Sequence, residues 1–241
     1  MKKIAFVLIA LISFTAASAQ LKQKKDWSKV AIDRAGDHIL FQLSYDNWSG
    51  KPDSIKNRLK GLPRGFNFYV MMNKPFKSDP RWSVAFGVGV SSSNIYFSKT
   101  SIGVTSTGTT LPFTNLDSTN YFKKYKLATT FLEAPIELRY TFDPENEGKS
   151  WKAALGIKVG TMLNTHTKGK NLVNKNGASL NAYTEKESKK TFFNTTRLAA
   201  TARIGIGHFS LFGAYSITSF LKDGAGPSLH PYQVGITISG L

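Results

Sequence analysis

The sequence predicts an all-β fold: an eight-stranded antiparallel up-and-down transmembrane β-barrel with short periplasmic turns and long extracellular loops. Three observations predict it. Large apolar residues alternate with small or polar ones, period two, along eight segments, as side chains of a strand point to opposite faces in turn. The connections between these segments alternate long and short, as in outer-membrane barrels with one decorated rim and one trimmed rim. The N-terminus reads as an export signal, and no later apolar run reaches the ~18 residues of a transmembrane helix.

The ends bound the rest. Lys2 and Lys3 precede the apolar run "IAFVLIALISFTAA", and Ala17, Ser18 and Ala19 supply a small-residue cleavage site before Gln20. Residues 1–19 are therefore expected to be a signal peptide, 20–37 a periplasmic tail and 38–241 the barrel. The absence of Cys excludes a disulfide framework and a lipid-modified cysteine. The formal charge is +17, and removing Lys2 and Lys3 leaves +15. For an exported chain, that charge points to anionic envelope surfaces rather than nucleic acid.

The first strand carries Ile39, Phe41, Leu43 and Tyr45 against Leu40, Gln42, Ser44 and Asp46. In the second, Phe66, Phe68, Val70 and Met72 oppose Asn67, Tyr69 and Met71. The third is the cleanest, with Trp82, Val84, Phe86, Val88 and Val90 against Ser83, Ala85, Gly87, Gly89 and Ser91. The fourth is "FLEAPIELRYTF", Phe131 to Phe142. Trp151–Val159, Arg197–Ile206, Phe209–Phe220 and Tyr232–Ser239 complete the set. The first, third, fifth and seventh connections are the longer, which places them outside the cell when both termini are periplasmic. Rich in Ser, Thr, Asn, Gly and Lys, they are expected to be mobile rather than folded.

A soluble barrel would turn the apolar face inward. The other face decides against that, because it carries glycines, alanines and only a few charges away from strand ends. An eight-stranded barrel has room inside only for side chains. Small residues around a few paired charges are interior composition. Aromatics fall near both ends of the strands, with Trp82, Tyr140, Phe142, Trp151 and Phe209 at the short-turn rim. Tyr45, Trp48, Phe97, Tyr215, Phe220 and Tyr232 fall toward the long-loop rim, and both sets are expected to form interface girdles.

The run "TTFLEAPIELRYTF", the turn "DPENEGKS" and the strand "WKAALGIKVGTML" resemble the outer-membrane barrel of PorT-like proteins. With the signal and the eight segments, the resemblance covers most of the mature chain. It implies the barrel fold and the outer membrane of a Gram-negative envelope. Because PorT is associated with a secretion system, it also implies a possible place in a secretion or assembly complex.

Glu133 and Glu137 share a face about 13 Å apart along a strand. Glycosidase pairs sit ~5–5.5 or ~6.5–9.5 Å apart, so catalysis is not expected and the chain is read as no enzyme. Instead Glu133, Glu137, Arg139, Lys158, Arg197 and Arg203 are expected to form a lumenal charge network, since charges in a narrow lumen must pair. Pro135 suits a bulge or a locally opened pairing. His38, His166, His208 and His230 are split between rims with no metal-ligand spacing, so neither metal nor cofactor is expected. His166 or His230 with a nearby Ser leaves one alternative, a lipid A-modifying enzyme. The loops 51–64, 99–126 and 168–190 are basic, and could contact lipopolysaccharide or envelope proteins.

Overall fold

The computed structural model describes residues 38–240. The expected signal peptide, the tail and Leu241 lie outside the described residues. The elements are β1 (Ile39–Ser49), α1 (Asp53–Lys56), β2 (Arg64–Pro75), β3 (Trp82–Phe97), β4 (Thr100–Ile102) and β5 (Phe113–Asn115). They continue with β6 (Tyr121–Thr141), β7 (Trp151–Val173), β8 (Ser179–Ser188), β9 (Thr196–Ile206), β10 (Phe209–Ser216) and β11 (His230–Ser239).

Eight of these strands close into an antiparallel barrel, in the order β6-β3-β2-β1-β11-β10-β9-β7, with β6–β7 pairing completing the ring. Each pairs with its neighbour along the chain, and β1 with β11. Closure leaves no edge strand within the barrel, the condition for crossing lipid with strands. Exposed side chains include Leu43, Val70, Val88, Ile136, Leu155, Ile157, Ile204 and Ile236. Their cross-faces bury Gln42, Tyr69, Ala85, Glu137, Ala154, Lys158, Arg203 and Thr237. The apolar face therefore points outward, as lipid requires and water does not.

The periplasmic rim is trimmed. The Asp79–Arg81 ion pair ties the first turn at 2.6 Å. The Asp143 N–H donates to Ser150 Oγ at 2.7 Å across the second, and Gly207 supplies the left-handed φ of +57° for the third. Trp82, Phe142, Trp151 and Phe209 are exposed there, as an interface girdle needs.

The outer side departs from expectation. The loops are folded. β3 and β6 run on as a ladder to Phe97 and Tyr125, and β7 continues to Val173, where β8 folds back onto it. α1 and the β4–β5 hairpin fill the remaining connections. The loops bury one apolar cluster over the barrel mouth, drawing Ile55, Ile102, Val104, Leu111, Phe193 and Leu229 from different connections. Backbone bonds tie loop to loop, with Leu111 N–H donating to Ala225 O at 2.8 Å and Lys222 N–H to Phe192 O at 2.9 Å. Each large side chain so buried contributes roughly 1.5–3 kcal/mol. These apolar residues stand singly or in short pairs such as Phe192-Phe193 among polar ones, with no strand-length alternation to mark them.

Three of the expected rim aromatics belong to this cap instead of a girdle. Trp48, Phe97 and Phe220 are buried, and Trp48 stacks on Phe220 at 5.2 Å. Apolar contact inside the cap replaces contact with the interface. Tyr45 and Tyr215 stay exposed. The bulge lies away from Pro135. It falls at Leu163, where the β6–β7 register shifts between Thr130 and Phe131. Pro135 pairs with Lys158 on β7, while on the β3 side the ladder breaks between Phe86–Ile136 and Gly89–Glu133. A residue with no N–H leaves such a gap.

Candidate functional site

The lumen is built from alternate residues of every barrel strand. On β6 the inward set is Phe131, Glu133, Pro135, Glu137, Arg139 and Thr141, all buried. A glycine stands directly across from each acid, Gly160 from Glu133 and Gly156 from Glu137. A Cβ at Gly160 would lie 2.9 Å from Glu133 Cγ, and one at Gly156 would lie 3.0 Å from Glu137 Cγ. The glycines make the space that the carboxylate stems occupy.

The six sequence-predicted charges form two clusters, one per acid. In the periplasmic half, Glu137 Oε2 accepts from Arg139 Nε at 2.8 Å and from Arg203 at 3.0 Å. In the outer half, Glu133 pairs with Arg197, with Lys158 at 3.2 Å, and accepts the Tyr69 hydroxyl at 2.5 Å. Arg197 also lies over the Phe131 ring, 4.4 Å from its centroid. Two cations hold each carboxylate, the arrangement under which a buried charge is tolerated.

A polar ladder continues round the wall beyond the six expected charges. Gln233 accepts from Lys158 at 3.2 Å and donates to Asp46 at 3.1 Å. Asn67 bonds Gln42 at 3.0 Å and Ser91 at 2.7 Å. Asp46, only 2 % exposed, is a seventh ionisable side chain in the lumen. Its inward parity with Gln42 and Ser44 was visible in the sequence, but the expected network took only charges away from strand ends. The spaces left beside Arg139 and Arg203, and beside Tyr69 and Lys158, are about 10 and 20 Å³. That is room for about one water each.

Residues 34–221 match the family described as outer membrane protein beta-barrel domain. The chain belongs to that family. It is thus an outer-membrane β-barrel protein by sequence match as well as by its closed sheet. No curated protein matches it. Among solved structures it is similar to Ail, the attachment invasion locus protein of Yersinia pestis. Ail in complex with the heparin analogue sucrose octasulfate is 15% identical, over 85% of this chain and 97% of that one, with a TM-score of 0.36. A second Ail structure is 17% identical over the same shares, with a TM-score of 0.32. At these scores the likeness is loose, and the barrel rests on the closed sheet and the family match.

The histidines of this outer-membrane barrel are dispersed. His38 and His208 meet backbone carbonyls at the periplasmic rim, Met71 O at 3.1 Å and Ser239 O at 2.9 Å. His166 contacts Asn164 at 3.1 Å. His230 Nε2 lies 3.2 Å from Ser228 Oγ, its Nδ1 is 3.1 Å from Ser216 O, and its ring stacks on Tyr215. Sequence reasoning named His230 without its serine, because the pair is made by a loop conformation. No group of three or more metal-ligating side chains occurs among the described residues.

Proposed function

We propose that the protein is a sealed, non-conducting and non-catalytic outer-membrane module that presents a folded, basic outer surface to other components of the envelope. The observation that carries this reading is the double closure of the lumen. Paired charges fill the barrel, and the apolar cap lies over its outer mouth. Eight strands enclose space for side chains and little else. In a planar bilayer the purified protein should show no unitary conductance. Stable channel openings from the wild type would sink the reading.

A place in a secretion or assembly complex is the finer form of the same proposal. It is supported by the PorT-like "LEAPIELRYTF" strand and by outer loops that are folded together over one apolar cluster. Protein partners should then co-purify in mild detergent, and removal of the cap should release them.

A second reading, hydrolysis of an acyl chain of lipid A, has one observation in its favour, the Ser228–His230 contact with His230 oriented by a carbonyl. It predicts that Ser228→Ala abolishes a lipid A modification in cells, whereas unchanged lipid A on deletion of the protein removes this reading.

A further inference from the structure

The outward face of the sheet changes character where it leaves the membrane. On β6 it carries Ile136 and Leu132, then Lys126 and Lys124. On β7 it carries Ile157 and Val159, then Lys168 and Lys170. The step on β7 depends on the bulge at Leu163. Lys158 and Lys168 have the same parity in sequence, and in a regular strand both would point into the lumen. One extra residue turns the upper part of the strand over.

The register then lines the cations up. Lys126 is the direct partner of Lys168, Lys168 of Lys186, and Lys124 of Lys170. Directly opposed like charges destabilise a sheet, and here three stand in one row. No salt bridge to any of these five lysines occurs among the described residues. The nearest acids in sequence, Glu185 and Glu187, pair with Gly169 and Thr167 and so stand on the opposite face. There Glu187 accepts from Thr105 of the cap at 3.1 Å. Lys126 is pinned in place by donating to Asn94 Oδ1 at 2.6 Å. Beyond Lys124 the face runs into a groove of about 480 Å³ floored by Tyr96 and flanked by Lys60 and Arg64. The far side of the barrel differs, since β1, β10 and β11 contain no Lys or Arg.

We propose that this outward face of β6, β7 and β8 binds the phosphate groups of the glycolipid in the surrounding outer leaflet. The inference rests on the proposed role as an envelope interaction module and names its partner. Height and direction select the lipid over a soluble anion. From Leu132 to Lys126 the strand climbs roughly 15 Å, at ~3.3 Å per residue and a tilt near 40°. The lysines therefore stand at headgroup level, on the same face whose lower part touches acyl chains. A phosphate shared between neighbouring strands would neutralise the row that the protein itself leaves uncompensated.

The test uses the full mature chain in detergent, titrated with bis-phosphorylated lipid A and with the same lipid stripped of phosphate. Lys126→Gln, Lys168→Gln and Lys186→Gln together should weaken binding of the phosphorylated lipid at least tenfold. A triple change of Lys175, Lys189 and Lys222 to Gln should alter it less than twofold. Arginine at the three face positions should restore binding, and a retained heat-dependent gel shift shows that each variant is folded. Equal losses from both glutamine triples, no preference for the phosphorylated lipid, or displacement by millimolar inorganic phosphate would each overturn the proposal. So would binding of an acidic polysaccharide in place of the lipid. Conductance of the same samples separates the two readings. A silent bilayer with no lipid binding leaves the sealed module standing, and a conducting wild type removes the module whatever the lipid result.

Discussion

Below Phe131, β6 turns Leu132, Ile136 and Leu138 outward and Glu133, Glu137 and Arg139 inward. Above it, the same strand turns Lys124 and Lys126 outward and Tyr125 and Leu127 inward. The two halves of the molecule are thus inverted copies of one rule. In lipid, apolar side chains cover the outside and charges pair within. From the headgroup layer upward, an apolar cluster gathers inside and lysines cover the surface. The backbone ladder runs through the change without a break on β6, and on β7 it is accommodated by one bulged residue. What differs is the solvent against the outer face. Hydrophobicity in a barrel strand is a statement about the neighbour, not about depth in the protein.

The largest test probes the joint between the halves. Past the bulge Thr165 faces inward and is fully buried, although in a regular strand it would share the outward face of Ile157 and Val159, so Thr165→Lys places an unpaired ammonium beneath the cap. Each buried unpaired ammonium costs several kcal/mol. The cap should unfold while the lower barrel still forms, read as proteolysis of the outer loops from a protein that keeps its heat-dependent gel shift. An intact cap would show that the bulge does not set the face.

Next in size is the lumen. Glu133→Ala leaves Lys158 and Arg197 buried without their carboxylate. The expected loss is roughly 3–5 kcal/mol, read as a fall in the urea midpoint of unfolding from lipid vesicles. The milder Glu133→Gln with Glu137→Gln should also lower the midpoint, and an unchanged value would count against a stabilising network.

The outer face offers a graded comparison. Ile157→Arg places a charge near mid-membrane and should cost ~2–4 kcal/mol, whereas Thr184→Arg above the membrane should cost ~0–1. Equal effects would mean that the change of solvent has been placed wrongly.

The smallest effect concerns a surface tie of the cap. Arg58 holds Asp117 through two bonds of 2.7 and 2.6 Å. Hydrogen bonding to that guanidinium lowers the Asp117 carboxyl to about 2. A depressed carboxylate stabilises the folded cap above its unfolded value, near ~3.9, and that help is lost as pH falls through about 2. Asp117→Asn should therefore remove that help at pH 7, a small loss at so exposed a site, flatten the pH dependence of cap protection in this window, and leave no difference from wild type below it.

The side of each barrel strand that faces lipid is legible in the chain's own alternation. Alternation is local, and a lumen as narrow as this admits only small residues and paired charges. That was enough to name all six of the charges now seen as two clusters, and to place the trimmed rim. Only the tertiary structure decided who pairs with whom. Glu133 meets Lys158 from β7 and Arg197 from β9, and closure of the ring is what brings those strands to one acid. Only it disclosed the cap, whose apolar residues are scattered singly or in pairs through polar loops and become a core when four connections meet. And only register, reset by one bulge, turned Lys168 out of the lumen and into line with Lys126 and Lys186. Periodicity reports which face a residue shares with its own neighbours in the chain. It carries no information on a slip of one residue, and such a slip reverses every side chain beyond it.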